Sequence, residues 1–251
     1  TVYYECDENG VPFEFPTKNE RWKTAQQSNF SKIPGSPVAY WVGEKALAIL
    51  EKEKNLTYFA LQKTRICTGD NNYFLRLWHE VSYDNMFYPY KWIPYSKGGQ
   101  YNKWYGNLEY VLNYQKNGEE LFRFKNAMPG DSKYHMKEGI TWSALTAGDA
   151  SFRYVPEGTI CDQKGPLLYV LDRKNLNYIL GCMNSCVIKA FLTFLAPTLD
   201  YIWGSIAKVP IILSNNEQKD IDLKVSHMVS ISKHDWDNFE TSWDFKKHPL
   251  V

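Results

Sequence analysis

The residues best suited to binding chemistry lie together in residues 91–107, which read KWIPYSKGGQYNKWYGN. This stretch combines three lysines, three glycines, two tryptophans and three tyrosines, and it contains no acidic residue. Lysines bind phosphate, aromatic faces stack on bases or sugars, and glycines let backbone amides approach an anion closely. The composition predicts a nucleic-acid surface, while a sugar-binding loop or a loop that covers a core stays open as an alternative.

Two cysteines, Cys182 and Cys186, are spaced so that one helix would place both on the same face. A zinc site needs two further ligands at matching spacing, and the sequence has no CxxC, HxxxH or HExxH pattern. Cysteine is among the most buried residue types, and this region is strongly apolar. We therefore interpret the pair as core residues and predict no metal site.

No catalytic or cofactor-binding residue is predicted in this chain. Cys67, Asp70 and His79 are close in sequence, but no nucleophile signature surrounds the cysteine. The Gly98–Gly99 pair belongs to neither a P-loop nor a GxGxxG unit, so Walker-type and Rossmann-type nucleotide binding are excluded. This glycine pair is interpreted either as a backbone-amide nest for phosphate or as a tight hairpin turn.

Bulk composition describes an ordinary globular chain of 251 residues with a net charge of +1, so any positive patch must be local. The five cysteines are scattered and odd in number, which is typical of reduced thiols and predicts a cytoplasmic protein. No apolar run approaches the length of about 18 residues that a membrane span requires. The chain begins without Met, and we expect both ends to be cut from a longer polypeptide.

The positions of proline and turn residues, and the spacing of apolar residues, predict the helices and strands that must position these residues. Pro37 is expected in the first turn of a helix that ends in the charged run at residues 52–55, and a single apolar helix is expected over residues 175–197. A polar helix is expected after Asn215 or Asn216. Short strand-like runs separated by turn residues fill the region between: NYFLRLWHEV, KWIPY, YVLNY, LFRF, ITWSAL, SFRYV, TICDQ and LLYVL.

This pattern predicts an α+β fold with a mixed twisted β-sheet body, one buried apolar helix and a C-terminal spacer helix. Three regions are predicted. Residues 1–60 form a leading segment with a connecting helix, residues 61–214 form a target-recognition domain, and residues 215–251 form the spacer helix and a tail.

Several segments, taken together, resemble the C-terminal half of the PglX family, the adenine-specific DNA methyltransferases of BREX phage-defence systems. They cover most of the chain from residue 30 to 245 in family order. The matching segments include FSKIPGSPVAYWV (30–42), CTGDNNYFLRLWHEV (67–81), KWIPYSKGGQYNKWYGNLEYVLNY (91–114), KEGITWSAL (137–145) and LGCMNSCVIKAFLTFLAPTLDYIWGSIAKVPI (180–211).

The final third is also similar to the target-recognition domains of type I restriction specificity subunits. The similarity lies in an apolar helix at residues 180–185, a short strand at 206–211 and a helix start at 217–219. The resemblance implies a domain that reads DNA, followed by a helix that connects to the next module.

The chain departs from the methyltransferase pattern because it has neither an NPPY-type motif nor a glycine-rich SAM loop. NPPY-type motifs hold a flipped adenine whose exocyclic amine is methylated. The resemblance therefore implies a part of an adenine methyltransferase that binds and orients duplex DNA but is inactive by itself. SAM and the catalytic groups are expected in an upstream domain of the same polypeptide, and other phage-defence subunits are possible partners.

The resemblance also implies a set of DNA contacts from side chains suited to phosphates and base edges. The predicted phosphate or sugar contacts are Arg65, Arg76, Lys91, Lys97, Lys103 and Lys137. The predicted base or backbone contacts are Asn71, Asn72, Tyr95, Gln100, Asn102, Tyr105 and Trp142. Packing in a core or sheet is the favoured alternative for Trp92, Trp104 and Trp142, and turn formation is the alternative for Asn71 and Asn72.

Residues shared by a whole family cannot encode targets that differ among its members. Residues 91–107 are therefore expected to clamp phosphates, support the framework or contact the methyltransferase domain, and base readout is expected from residues 125–133 and 146–152. Two other classes stay open. One is a protein-interaction module of the same enzyme, and the other is a carbohydrate-binding or hydrolytic domain.

Overall fold

Two four-stranded β-sheets and eight α-helices make up the computed structural model, which describes Glu8, residues 26–64 and residues 66–250. The strands are β1 Ala60–Thr64, β2 Leu75–Leu77, β3 Trp92–Ser96, β4 Tyr110–Asn113, β5 Gly139–Trp142, β6 Phe152–Val155, β7 Ile160–Cys161 and β8 Leu167–Val170. The helices are α1 Gln27–Phe30, α2 Glu44–Lys52, α3 Asn71–Phe74, α4 Gln115–Arg123, α5 Leu176–Met183, α6 Cys186–Leu195, α7 Trp203–Ile206 and α8 Gln218–Trp236.

The sheets differ in strand direction. The first sheet has the order β1-β8-β5-β6 and is antiparallel throughout. The second has the order β2-β4-β3-β7, and its last pair, β3 with β7, is parallel. The α+β class is confirmed, with the sheet body divided in two and only the second sheet mixed.

Each sheet has its own core. The first sheet packs its buried Trp142 and Phe152 with apolar residues of the helices that cover it, among them Leu180 and Phe191. The second sheet has a smaller core that includes Phe74, Ile93 and Leu112. Because burial of apolar area is the main stabilising contribution to folding, these two cores set the positions of the loops between the sheets.

The predicted single apolar helix is wrong, because α5 and α6 are separate helices that meet at an angle of 74°. The Ser185 hydroxyl accepts a hydrogen bond from the Ile188 amide at 3.2 Å and so caps the start of α6. Cys182 and Cys186 therefore lie on different helices rather than on one helical face. Residues 26–64 and 66–250 contain no cluster of three or more metal-ligating side chains.

Two other boundaries differ from the sequence prediction. The helix expected from Pro37 begins only at Glu44, after Gly43 in its N-cap position, and Val38 and Trp41 are exposed. The run LFRF lies at the end of α4 and not in a strand. Leu121 is buried in the core of the second sheet, while its neighbour Phe122 is exposed. The end of α4 therefore directs one apolar side chain of this run into the core.

The C-terminal helix packs closely on the body of the molecule. Val225 of α8 is buried, and its Cγ2 lies 2.9 Å from the position that a Cβ on Gly181 of α5 would occupy. Beyond α8, the Glu240 carbonyl accepts a hydrogen bond of 3.0 Å from the indole of Trp78, next to β2. The domain boundaries at residues 60 and 214 stay predictions.

No single helix in the part of the chain that the structure describes is long and apolar enough to cross a membrane. The segments Arg173–Met183 and Cys186–Leu195 reach the required composition only as a bent pair.

Candidate nucleic-acid interface

Residues 91–107 connect the two sheets. Their first part forms β3 of the second sheet, while Trp104 pairs with the edge of the first sheet. The Trp104 amide donates to the Phe152 carbonyl at 2.9 Å, and the Tyr154 amide donates to the Trp104 carbonyl at 2.8 Å. Trp104 has a φ of 72°, which non-glycine residues rarely adopt, and these two hydrogen bonds hold it there. Framework support is therefore one role of this segment.

The glycines allow two chain segments to cross at the end of the second sheet. Gly98 has a φ of +82°, and a Cβ on it would lie 2.7 Å from the carbonyl oxygen of Lys164. A Cβ on Gly165 would fall on the backbone nitrogen of Gly98. Backbone packs on backbone here, and this close approach explains why glycine occupies both positions.

The middle of the segment is held by its own amide side chains. The Asn102 side chain donates to the Asn107 side-chain oxygen at 2.6 Å, and the Asn107 amide group donates to the Gln100 carbonyl at 2.8 Å. Asn107 is buried and has a φ of 59°, while the Gln100 side chain is exposed. Asn102 therefore fixes the loop, and Gln100 is free to contact a ligand.

A buried arginine that was not predicted from the sequence holds this loop by hydrogen bonds. Arg153 is 0% exposed, and its guanidinium donates to the Asn102 carbonyl at 3.2 Å and to the hydroxyls of Ser143 and Ser151 at 3.3 Å. Burial lowers the pKa of Arg153 to about 10. The sequence signal for a buried arginine was its position between the aromatic residues of the strand-like run SFRYV.

Three aromatic residues of the predicted contact set are buried, which corrects their assignment. Tyr95 and Trp142 are both 0% exposed, and Tyr105 is 6% exposed. The Trp142 indole donates to the Tyr201 carbonyl at 2.7 Å, and the Lys233 ammonium lies 5.5 Å from the ring centre of Tyr105. Burial raises the pKa of Tyr105 to about 12. These three side chains belong to the framework and are inaccessible to DNA in this conformation.

Two of the predicted cationic contacts are occupied by backbone carbonyls. The Lys103 ammonium donates to the Asn184 carbonyl at 3.1 Å. The Arg76 guanidinium donates to the Asn72 and Leu75 carbonyls at 2.6 Å each. Internal hydrogen bonds of this kind orient the cation, and they leave fewer donors for a phosphate.

Two of the other predicted cations lie over aromatic rings, and a third is exposed. Lys91 lies over the Trp92 ring at 5.0 Å and Lys97 over the Tyr110 ring at 4.8 Å. Lys137 is exposed. Arg65 lies outside the described residues.

The remaining two predicted contacts begin α3. The Asn71 side-chain oxygen accepts a hydrogen bond of 2.7 Å from the Thr68 hydroxyl, and Asn72 is exposed. Asp70 caps this short helix, because its carboxylate accepts from the Tyr73 amide at 3.1 Å. The turn-forming interpretation applies to Asn71, while the Asn72 side chain stays available.

The carboxyl ends of the parallel strands β3 and β7 bring a set of polar side chains together. The Asp162 amide donates to the Ser96 carbonyl at 2.8 Å, and the Lys164 amide donates to the Asp162 carboxylate at 3.0 Å. We call the side chains that extend from this end the loop edge, and they are Lys97, Gln100, Gln163 and Lys164. Lys97 is half-buried and the other three are exposed.

A cleft of about 360 Å³ lies beside the loop edge, between α6 and the loop that joins β5 to β6. An ion pair crosses it, in which the Lys189 ammonium lies 2.6 Å from the Asp149 carboxylate. This hydrogen bond raises the pKa of Lys189. We call this cleft the tyrosine cleft. Its polar lining includes Tyr101, Lys103, Asp149, Asn184, Lys189 and Tyr201.

The loop edge and the tyrosine cleft are linked through the chain and through the backbone. Residues 97–103 supply Lys97 to the loop edge and Tyr101 and Lys103 to the cleft. The Ala144 amide donates to the Lys164 carbonyl at 2.9 Å, which ties the β5–β6 loop to the loop edge. Cations, amides and an exposed tyrosine suit a polyanion whose bases can be stacked or hydrogen-bonded.

The chain is homologous to part of the adenine-specific methyltransferases, although no protein-family model matches it. It is 34% identical to the adenine-specific methyltransferase PglX of Lacticaseibacillus casei (strain Zhang), in an alignment of length 253 that covers 94% of this chain and 21% of that protein. It is 37% identical to the adenine-specific methyltransferase BrxX of Escherichia coli O9:H4 (strain HS), in an alignment of length 239 that covers 92% of this chain and 19% of that protein. The chain thus spans about a fifth of the length of these relatives, and the resemblance seen in the sequence is confirmed.

Proposed function

We propose that this chain is the DNA-recognition part of an adenine-specific DNA methyltransferase, and that it orients duplex DNA for a catalytic domain of the same polypeptide. The observation that carries the proposal is that residues 97–103 link the polar loop edge to the tyrosine cleft, in a chain homologous to a fifth of two adenine-specific methyltransferases. Transfer of a methyl group to the exocyclic amine, and SAM binding, are assigned to the rest of the enzyme. A cytoplasmic location and participation in phage defence belong to the same proposal.

The chemistry of this surface supports DNA over the carbohydrate-hydrolase alternative. A glycosidase needs two carboxylates on either side of the scissile bond. Within the described lining of the tyrosine cleft, Asp149 is the one carboxylate, and Lys189 neutralises it. Lys97 and Lys164 suit phosphate, and the amides of Gln100 and Gln163 can donate and accept at base edges.

A domain exchange tests the proposal directly. The matching region of the L. casei PglX protein is replaced with this chain, and the methylated motif is read by single-molecule sequencing of genomic DNA. We expect the motif of the chimaera to differ from that of the unmodified L. casei protein, because base readout travels with the exchanged region. A chimaera that still methylates the original motif would refute the recognition role.

A salt titration measures the contribution of the loop edge. We expect Lys97→Ala and Lys164→Ala, each in the full-length enzyme, to reduce the slope of log K against log salt by about 0.9, because each phosphate contact releases one counterion. Affinity should fall equally for all DNA sequences, since phosphate contacts carry no base information. Lys52→Ala on α2 serves as the matched control, with an unchanged slope. If the two loop-edge variants give the wild-type slope, these lysines do not touch phosphate.

A further inference from the structure

An ion pair in the tyrosine cleft has a geometry that stability does not explain. Asp149 lies in the loop between β5 and β6, Lys189 lies in α6, and their side chains are 50% and 60% exposed. Exposed ion pairs of this kind contribute little to stability. The pair places one strong hydrogen-bond donor beside one strong acceptor, on a surface proposed above to face DNA.

Both partners are held in position by their surroundings. The loop that carries Asp149 is anchored at both ends, because the Thr146 amide donates to the Leu199 carbonyl at 3.2 Å and the Phe152 amide donates to the Asn184 side chain at 3.1 Å. Lys189 is near the start of α6, whose first turn is capped by Ser185. A reading group on an anchored loop or a helix loses little conformational entropy when it binds.

The donor and the acceptor match one base-pair edge. In the major groove, guanine presents two acceptors, O6 and N7, and the cytosine paired with it presents the N4 amino donor next to them. A lysine ammonium donates to the guanine acceptors, and a carboxylate accepts from cytosine N4. Tyr101 and Tyr201 border the pair and supply apolar ring surface beside it.

We propose that Asp149 and Lys189 are specificity-determining residues that read one G·C base pair of the methylated motif. Asp149 accepts from cytosine N4, and Lys189 donates to guanine O6 and N7. The inference rests on the proposed recognition function, and it specifies the residues of the 146–152 region and of α6 that make the base contacts. The carboxylate also disfavours an A·T pair, because thymine presents an acceptor and a methyl group where cytosine presents its donor.

The test uses the full-length enzyme and reads the methylated motif by single-molecule sequencing, with Asp149→Asn as the principal variant. Each correct base contact contributes about 1 to 3 kcal/mol of discrimination, so preference for G·C at one motif position should fall about 5- to 150-fold. Because an asparagine amide pairs with adenine, the lost preference should shift toward a T·A pair, which places adenine where Asp149 met cytosine. An unchanged motif would overturn the inference.

A reversed pair separates base reading from a structural role. The double variant Asp149→Lys with Lys189→Asp keeps an ion pair across the cleft, so a purely structural pair would leave the motif unchanged. Base reading requires the preference at that position to change. The matched control is the same reversal at Asp220 and Lys224 on α8, an exposed pair that also has an N–O distance of 2.6 Å. This control should retain the wild-type motif.

Competition binding tests variants whose methylation is too slow for the motif to be read by sequencing. Duplexes that differ at a single base pair compete for the folded variant, and retention of the G·C preference by Asp149→Asn would overturn the inference. Failure here is distinguishable from failure of the proposed function. If the motif follows the domain exchange but not Asp149, this chain reads DNA with other residues. If the motif does not follow the domain exchange, the recognition role itself is wrong.

Discussion

Replacing Gly165 with alanine is expected to lower the free energy of unfolding by about 2 to 3 kcal/mol, the effect of forcing added volume into a closely packed site. The added Cβ would fall on the backbone nitrogen of Gly98 and would lie 3.0 Å from the carbonyl carbon of Lys97. Backbone atoms cannot rotate away as the end of a side chain can. The two chain segments would therefore have to separate at the end of the second sheet.

Urea denaturation of this chain measures the loss. Gly148→Ala is the matched control, because a Cβ there has no atom within 4 Å. Its stability should be unchanged or raised by up to about 1 kcal/mol through the smaller entropy of the unfolded chain. A Gly165→Ala variant as stable as the Gly148→Ala variant would show that the crossing at Gly98 relaxes without strain.

The strands of the fold follow from local sequence patterns. KWIPY, YVLNY, ITWSAL, SFRYV and LLYVL overlap, in this order, the strands β3, β4, β5, β6 and β8. These runs are rich in aromatic and β-branched residues and are bounded by turn residues, so local preference and tertiary structure agree. Their division into two sheets depends on long-range pairing, which a single sequence does not encode locally.

The break between α5 and α6 could have been predicted from the sequence. Ser185 is a favoured N-cap residue, and Asn184 before it favours a helix end. The apolar residues on both sides suggested continuity and outweighed this signal. In the structure, the Asn184 side chain also bonds the backbone of Phe152 in both directions, at 3.1 and 2.9 Å, and such a contact between distant residues is invisible in sequence.

The composition of residues 91–107 indicated that these side chains form polar contacts. It could not show whether the contacts are made to a ligand or to other parts of the same chain. A lysine finds an acceptor equally well in a phosphate or in a carbonyl, and Lys103 finds the carbonyl of Asn184, 81 residues away. The same limit applies to Tyr105, which is buried against α8. Asp149 and Ala150 of the 146–152 region, by contrast, line the tyrosine cleft, and the role of this region in base readout stays a prediction.

Replacing Arg153 with alanine is expected to lower the free energy of unfolding by about 3 kcal/mol. The change removes a buried side chain and leaves three acceptors unpaired, the Asn102 carbonyl and the hydroxyls of Ser143 and Ser151. Each lost hydrogen bond costs about 1 kcal/mol, and a cavity adds to the loss. Relief of the buried charge offsets part of it, because the lowered pKa of Arg153 shows that burial disfavours the charged form.

Two further variants separate the forked hydrogen bonds from the charge. Arg153→Met fills the space without a charge and should cost about 1 to 2 kcal/mol. Arg153→Lys keeps the charge but loses the planar fork that reaches Asn102, Ser143 and Ser151, and should cost at least as much as alanine. Urea denaturation gives the order of the three. A lysine variant as stable as wild type would assign the stabilisation to charge alone, whereas the predicted order makes the guanidinium the group that holds the loop at Asn102 against β6 of the first sheet.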